Sequence, residues 1–200
     1  MPRSVADRAR VGLGPIARAL LGIGVTADGM TVLGAVLTLG GAILLAAERP
    51  GIALAFLLAG AAADTLDGLI ARAAGGGTRA GAFLDSTLDR ISDAAVLGAA
   101  IVLGSRWDDL LLFWSGLVAL VGSFMVSYVR AKAESLGLRA AVGVAPREAR
   151  LVLLLLGVAA WAALDPRVFV AAVVAVALLS MLTLLQRVAA VATQLRSEGR

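Results

Sequence analysis

In a chain of 200 residues, 60 % are hydrophobic, 16 % are charged and the mean hydropathy is +0.93, a balance that excludes a soluble domain with an ordinary polar surface. The length accommodates one bundle of about six membrane spans at roughly 20 residues each, and no separate soluble domain. The formal charge of +4 comes without any aromatic-interleaved basic patch, so nucleic acid is not an expected partner, and the absence of cysteine and histidine leaves carboxylates as the obvious metal ligands and general bases.

Residues 1–25 carry Arg3, Arg8, Arg10 and Arg18 spread among apolar positions. They lack the single unbroken apolar core of a secretory signal and predict an amphipathic juxtamembrane helix lying on the membrane surface. Residues 26–200 predict a bundle of six transmembrane helices, from weakly charged runs at 29–47, 51–63, 94–105, 110–129, 151–164 and 168–186. The whole chain, 1–200, thus reads as one all-α integral membrane domain. Two of the runs are too short to cross a hydrocarbon core of about 30 Å. Their helices must continue into charged sequence, 51–63 through Asp64 and Asp67, and 94–105 back to about Gly81. The fifth run is short as well and recruits Arg147 and Arg150 into its first turns. Gly75, Gly76 and Gly77 predict a tight turn between the second and third spans, and Leu136 to Pro146 is the longest polar connection.

Six spans put both termini on one side. Arg49, Arg106 and Arg167 fall in the three tight connections on the far face, and the other 15 of the 18 basic residues lie at the termini, in longer loops or at helix ends beside them. The positive-inside rule then places the termini on the cytoplasmic side of the cell membrane, together with the acidic segment and the stretch from Arg130 to Arg150. The net charge reads mostly as topology and attraction to membrane lipid headgroups. Trp107, Trp114 and Trp161 lie towards the far face, as an interfacial belt would.

From Asp64 to Asp89 the chain reads DTLDGLIARAAGGGTRAGAFLDSTLD. Asp64 and Asp67 are three apart on one helix, and Asp85 and Asp89 are four apart on the next, so each pair shares a helix face. The glycine turn predicts that the two helices are antiparallel neighbours, from which four carboxylates converge. Carboxylates that close repel unless a cation lies among them, and hard oxygen ligands suit Mg²⁺ or Mn²⁺, with room for two ions. Gly68 and Gly81 remove side chains where a ligand or backbone comes close, Ala71 keeps the same face narrow, and Arg72 can meet a phosphate through its planar fork.

The pattern DxxDGxxAR, eight residues, then GxxxDxxxD resembles the signature of the CDP-alcohol phosphotransferase family. All eight fixed positions are present: Asp64, Asp67, Gly68, Ala71, Arg72, Gly81, Asp85 and Asp89. The resemblance implies a phosphotransferase in which Asp64, Asp67, Asp85 and Asp89 hold a binuclear metal centre and Asp89 also accepts a proton. It implies that Gly68, Arg72 and Thr78 contact the cytidine diphosphate of the donor CDP-diacylglycerol. Gly81 and Ala71 lie on the same donor side, and Asp28, Gly29, Met30 and Thr31 match the family's additional nucleotide-contacting stretch. A different reading of the aspartates, an ion or proton transporter, does not require Gly, Ala and Arg at these intervals. Asp93 reads as the partner of Arg90 or another nearby basic group.

The acceptor alcohol must be read elsewhere. SYVRAKAESLGLRA from Ser127, PREARL from Pro146, LLQRV around Arg187, PIARALL near Pro15 and DRISDAAV after Asp89 resemble the actinobacterial phosphatidylinositol-phosphate synthases. This resemblance assigns Ser127, Arg130, Lys132, Arg150 and Arg187 to the phosphate of an inositol phosphate acceptor. The family carries Lys and then Arg where this chain has Arg130 and Lys132, an exchange that keeps charge and alters geometry. A cationic cluster suits a phosphorylated acceptor better than a neutral polyol. Glycerol 3-phosphate, the acceptor of phosphatidylglycerophosphate synthases, is the alternative. Arg139 and Arg147 read as surface or headgroup residues. The resemblance further implies a homodimer.

Overall fold

The computed structural model describes residues 5–198, with side chains described from Gly14 to Ser197. Among the described residues the chain is all helix and turn, with seven helices: α1 (Val5–Gly22), α2 (Ala27–Ala46), α3 (Pro50–Ala73), α4 (Arg79–Arg106), α5 (Leu110–Ser135), α6 (Arg147–Ala163) and α7 (Pro166–Glu198). Of the expected surface helix, Arg3 lies outside the described residues, as do the side chains of Arg8 and Arg10. The described end of α1 buries Ala17 and packs Leu20 and Leu21 around Leu69 and Ile70 of α3.

Local chemistry sets the helix starts. The hydroxyls of Thr26 and Thr78 accept from the backbone N–H of Gly29 (3.1 Å) and Gly81 (2.9 Å), capping α2 and α4, and the Asp109 carboxylate does the same for α5 at Leu112. Pro50 opens α3, where its missing N–H costs nothing. Between α3 and α4 the chain turns through Gly75 at φ 97° and Gly76 at φ 126°, conformations that side chains with a Cβ avoid. The helices therefore run into charged sequence where the short apolar runs required it: α3 continues past Asp64 and Asp67, α4 starts before Asp85, and α6 starts at Arg147.

By length and composition, α2, α3, α5 and α7 can each cross a membrane. Helix α4 carries too many charges to qualify on composition, and α6, with 17 residues, extends only about 25 Å. Ile43, Leu110, Leu156, Leu178 and Leu185 are each more than 60 % exposed, an outward apolar surface that hydrocarbon tolerates and water does not.

The apolar core occupies the half of the bundle that ends in the short connections. It contains Leu45, Leu97, Leu103, Leu112, Val158, Phe169, Val173 and Val176. Trp161 meets Trp107 edge-to-face at 5.1 Å and stacks on Phe169 at 5.6 Å. Two of the three tryptophans expected in an interfacial belt thus pack against the core, and Trp114 is exposed. In the same half, a Cβ on Gly104 would lie 2.4 Å from the backbone nitrogen of Phe113. Gly104→Ala must therefore push α4 from α5, and a loss of about 1–3 kcal/mol is expected as a lowered thermal midpoint in detergent.

The site lies in the opposite half, where the packing differs from expectation. Helix α2 packs on both α3 and α4, while α3 and α4 make almost no close backbone contact with each other. They are consecutive but not packed neighbours. Glycines pull α3 onto α2: a Cβ on Gly60 would lie only 3.0 Å from the Gly34 carbonyl. The facing sides of α3 and α4 carry Asp64, Asp67, Asp85, Asp89 and Asp93, which cannot form a dry seam, so a gap remains between them.

Candidate active site

The carboxylates of Asp64, Asp67 and Asp85 meet across this gap, with one oxygen of each within 4.8 Å of the others. Asp67 is buried, and its Oδ2 accepts a 2.7 Å hydrogen bond from the hydroxyl of Thr31 on α2. This bond orients the Asp67 carboxylate from α2. Three hard oxygens at this spacing fit a divalent cation. Asp89, one turn beyond Asp85, is not in this trio. Its Oδ1 is held instead at 2.9 Å by the guanidinium of Arg147.

Two large cavities adjoin the carboxylates, besides a small one of about 30 Å³ against Asp64, Asp89 and Asp93. The first, of about 340 Å³, lies between α2, α3 and the start of α4. It is lined by Asp28, Thr31, Gly68, Ala71, Thr78 and Gly81 of the expected donor set, with Asp67 and Asp85 in its wall. The N-termini of α2 and α4, each with a threonine cap, both open on it. Helix N-termini offer free N–H groups and positive dipole ends to phosphates. Gly81 is glycine for a local reason: a Cβ there would lie 2.7 Å from Oδ1 of Asp28. At Gly68 a Cβ would meet only the Arg72 guanidinium, at an ordinary 3.5 Å, so the open space at Gly68 is free for a ligand. The other three members of that set lie off the cavity wall. Gly29 serves in the α2 cap, Met30 packs into the small apolar cluster around Ile70, and Arg72 is exposed with its guanidinium over Gly68.

The second cavity, of about 390 Å³, lies on the other side of α4, and Asp85 and Asp89 line it together with Ser127, Arg130, Arg150 and Arg187. Backbone carbonyls hold the buried arginines. Arg187 donates to Val126 (2.8 Å) and Val142 (2.9 Å), and Arg150 donates to Ala145 (3.2 Å). The loop carrying Val142 and Ala145 is strapped to α7, where Gln186 accepts from Val144 N–H, and Gln194 both accepts from and donates to the backbone of Arg139. Arg139 is therefore held through its main chain. Arg130 pairs with Glu134 at 2.8 Å, both more than half exposed.

Lys132 departs from the expected cluster: it is exposed and lies off the cavity wall. Two residues beyond Arg130 on one helix, it points about 200° around the axis. Arg147 departs in the opposite direction. Expected at the surface, it lines the cationic cavity and reaches three carboxylates: Asp89 at 2.9 Å, Asp93 at 3.3 Å and Asp64 at 3.5 Å. It is the basic partner of Asp93, while Arg90 donates to the Ser86 carbonyl of its own helix. The signal for Arg147 lay in its position, one turn before Arg150 and so on the same face of α6.

The model of the CDP-alcohol phosphatidyltransferase family matches residues 24–185, which include every carboxylate just described and all of the arginines except Arg187. The chain belongs to this family. Among family members, it is similar to the phosphatidylinositol phosphate synthase of Mycobacterium marinum, with 42 % identity over 149 residues, 72 % of this chain and 62 % of that protein. The match thus spans less than two thirds of that relative. The fold is similar to the crystal structure of Mycobacterium tuberculosis phosphatidylinositol phosphate synthase with CDP-DAG bound, at TM-score 0.82 and 36 % identity over 89 % of this chain and 92 % of that one. The same enzyme in complex with manganese and citrate gives TM-score 0.83 and 35 % identity, covering 90 % and 88 %. Family membership and the apolar helices together make this a multi-pass membrane protein.

Proposed function

We propose that this chain is a metal-dependent phosphatidylinositol-phosphate synthase, transferring the phosphatidyl group of CDP-diacylglycerol to 1D-myo-inositol 3-phosphate with release of CMP. The observation that carries the reading is the pair of cavities on either side of one acidic cluster, one at two helix N-termini and the other lined by five arginines, with Asp85 in the wall of both. The donor's pyrophosphate suits the first and a phosphorylated polyol suits the second. The similar structure with CDP-DAG bound supports the donor, and the similarity to phosphatidylinositol phosphate synthases supports a phosphorylated inositol as acceptor.

In this reading Asp64, Asp67, Asp85 and Asp89 hold two divalent ions, Mg²⁺ or Mn²⁺, which when bound offset the charge on the pyrophosphate and on departing CMP. Asp28, Thr31, Gly68, Ala71, Thr78 and Gly81 shape the donor cavity around the nucleotide, with Arg72 able to swing to a phosphate from above Gly68. Ser127, Arg130, Arg150 and Arg187 grip the acceptor phosphate. Asp89, oriented through Oδ1 by Arg147, takes the proton of an inositol hydroxyl. That hydroxyl oxygen bonds to the β-phosphorus in line as the bond to the bridging oxygen breaks, and the electron pair leaves with CMP.

The proposal extends to topology. Helices α2 to α7 are read as six spans of a single domain, with α1 on the membrane surface. The three short connections lie outside, and both cavities open to the cytoplasmic leaflet, where donor lipid and soluble acceptor meet. Basic residues concentrated at that end support this orientation. The small-residue helix surfaces are compatible with the homodimer that the resemblance implies.

The test is CMP release by purified protein, given CDP-diacylglycerol and a panel of phosphorylated and free polyols. Turnover is expected with inositol phosphate and not with free inositol; turnover with glycerol 3-phosphate alone would overturn the acceptor. Within that assay, Arg150→Ala removes a buried cation from the acceptor cavity and raises KM for inositol phosphate by about 10- to 100-fold, with KM for the donor little changed.

A further inference from the structure

We infer that Arg147 is a positioning residue that acts as a built-in cation of the metal centre, anchored on Asp93, and that it makes the two halves of the centre unequal in their affinity for divalent ions. The inference rests on the proposed function for its metal chemistry, and on the geometry of this chain for everything else.

The four motif carboxylates do not form one symmetric cage. Asp64, Asp67 and Asp85 converge within 4.8 Å. Asp89 is instead bound to a guanidinium that reaches it from α6 at 2.9 Å and also touches Asp64 at 3.5 Å. A divalent ion drawn to the trio meets three converged carboxylates, of which the guanidinium touches only Asp64, at the longer 3.5 Å. An ion drawn to the Asp64 and Asp89 side meets a cation already using those groups, so it must share them or shift Arg147. The guanidinium need not leave the site, because its Nε is held at 3.3 Å by Asp93, which belongs to neither group of motif ligands. Arg147 can therefore turn about Asp93, towards Asp89 or towards the cationic cavity it also lines. Its planar fork is what allows one side chain to serve three carboxylates on two helices. Two divalent ions together with this guanidinium balance the five carboxylates of the gap, which gives Arg147 a place in the loaded site as well.

A Mn²⁺ titration of purified protein, followed by electron paramagnetic resonance, tests this without turnover. Wild type is expected to show two classes of bound ion. In Arg147→Gln the weaker class tightens by about tenfold or more while the tighter class moves little, yet kcat falls about 10- to 100-fold because Asp89 loses its orientation. Arg147→Lys keeps the charge and loses the fork, so the weaker class tightens in the same direction by a smaller factor. A merely structural role would weaken both classes together with turnover. One class of ions in wild type, parallel shifts of both classes, or an unmoved weaker class in a folded Arg147→Lys protein each overturn the inference. CMP release by wild type is read separately: turnover with unmoved ion classes sinks the role of Arg147 alone. Absence of CMP with every acceptor sinks the proposed function and leaves the ion classes to be judged on the titration.

Discussion

Asp89→Asn, in protein that inserts and folds normally, is expected to release CMP about 100- to 10,000-fold more slowly than wild type, the range that a positioned general base contributes. The substitution keeps the size of the side chain and an oxygen that can accept from Arg147, and removes the ability to take a proton from the acceptor hydroxyl. The first cavity is built by α2, α3 and the start of α4, without Asp89, so donor binding should persist. The measurement is single-turnover CMP formation at saturating donor and acceptor, with donor affinity determined in parallel. Near-normal turnover would remove Asp89 from the base role and turn attention to Asp85, which lines the same cavity.

Asp67→Asn is expected to lower turnover by at least about 100-fold, equivalent to roughly 3 kcal/mol of lost charge stabilisation, and to abolish the tighter class of bound Mn²⁺. Asp67 is the most buried of the three converging carboxylates, and the Thr31 hydroxyl orients it from α2. An asparagine keeps the hydrogen bond to Thr31, so the fold should hold, and a neutral oxygen is a poor substitute for a charged one toward a hard cation. Chelation of the wild-type protein should reproduce the loss and added Mg²⁺ or Mn²⁺ should restore it, whereas the variant should recover only at far higher ion concentration. A variant that turns over normally and binds both ions would show that the trio is not the metal centre.

Much of this was legible along the chain because it depends on local rules. Apolar runs and the charged sequence they had to absorb located α3, α4 and α6, and threonine, proline and glycine at the turns set where those helices begin. The spacing of Asp64, Asp67, Asp85 and Asp89 marked the acidic site, since residues three or four apart on a helix share a face whatever packs against it. The same rule, applied to α5, separates Arg130 from Lys132, and a charge count alone could not.

What required the tertiary structure was which groups meet across helices. The near-contact of Gly34 and Gly60 draws α3 onto α2 and leaves the α3–α4 gap, so the carboxylates line a cleft between two cavities rather than the seam of a tight hairpin. The third wall of that cleft is α6, which no spacing within the motif announces, and it delivers Arg147 to Asp64, Asp89 and Asp93 from far along the chain. Sequence determined the chemistry of the site, because ligand type and helical phase are properties of a few neighbouring residues. Packing decided which charges are paired, because that depends on distances between segments which only the assembled bundle brings together.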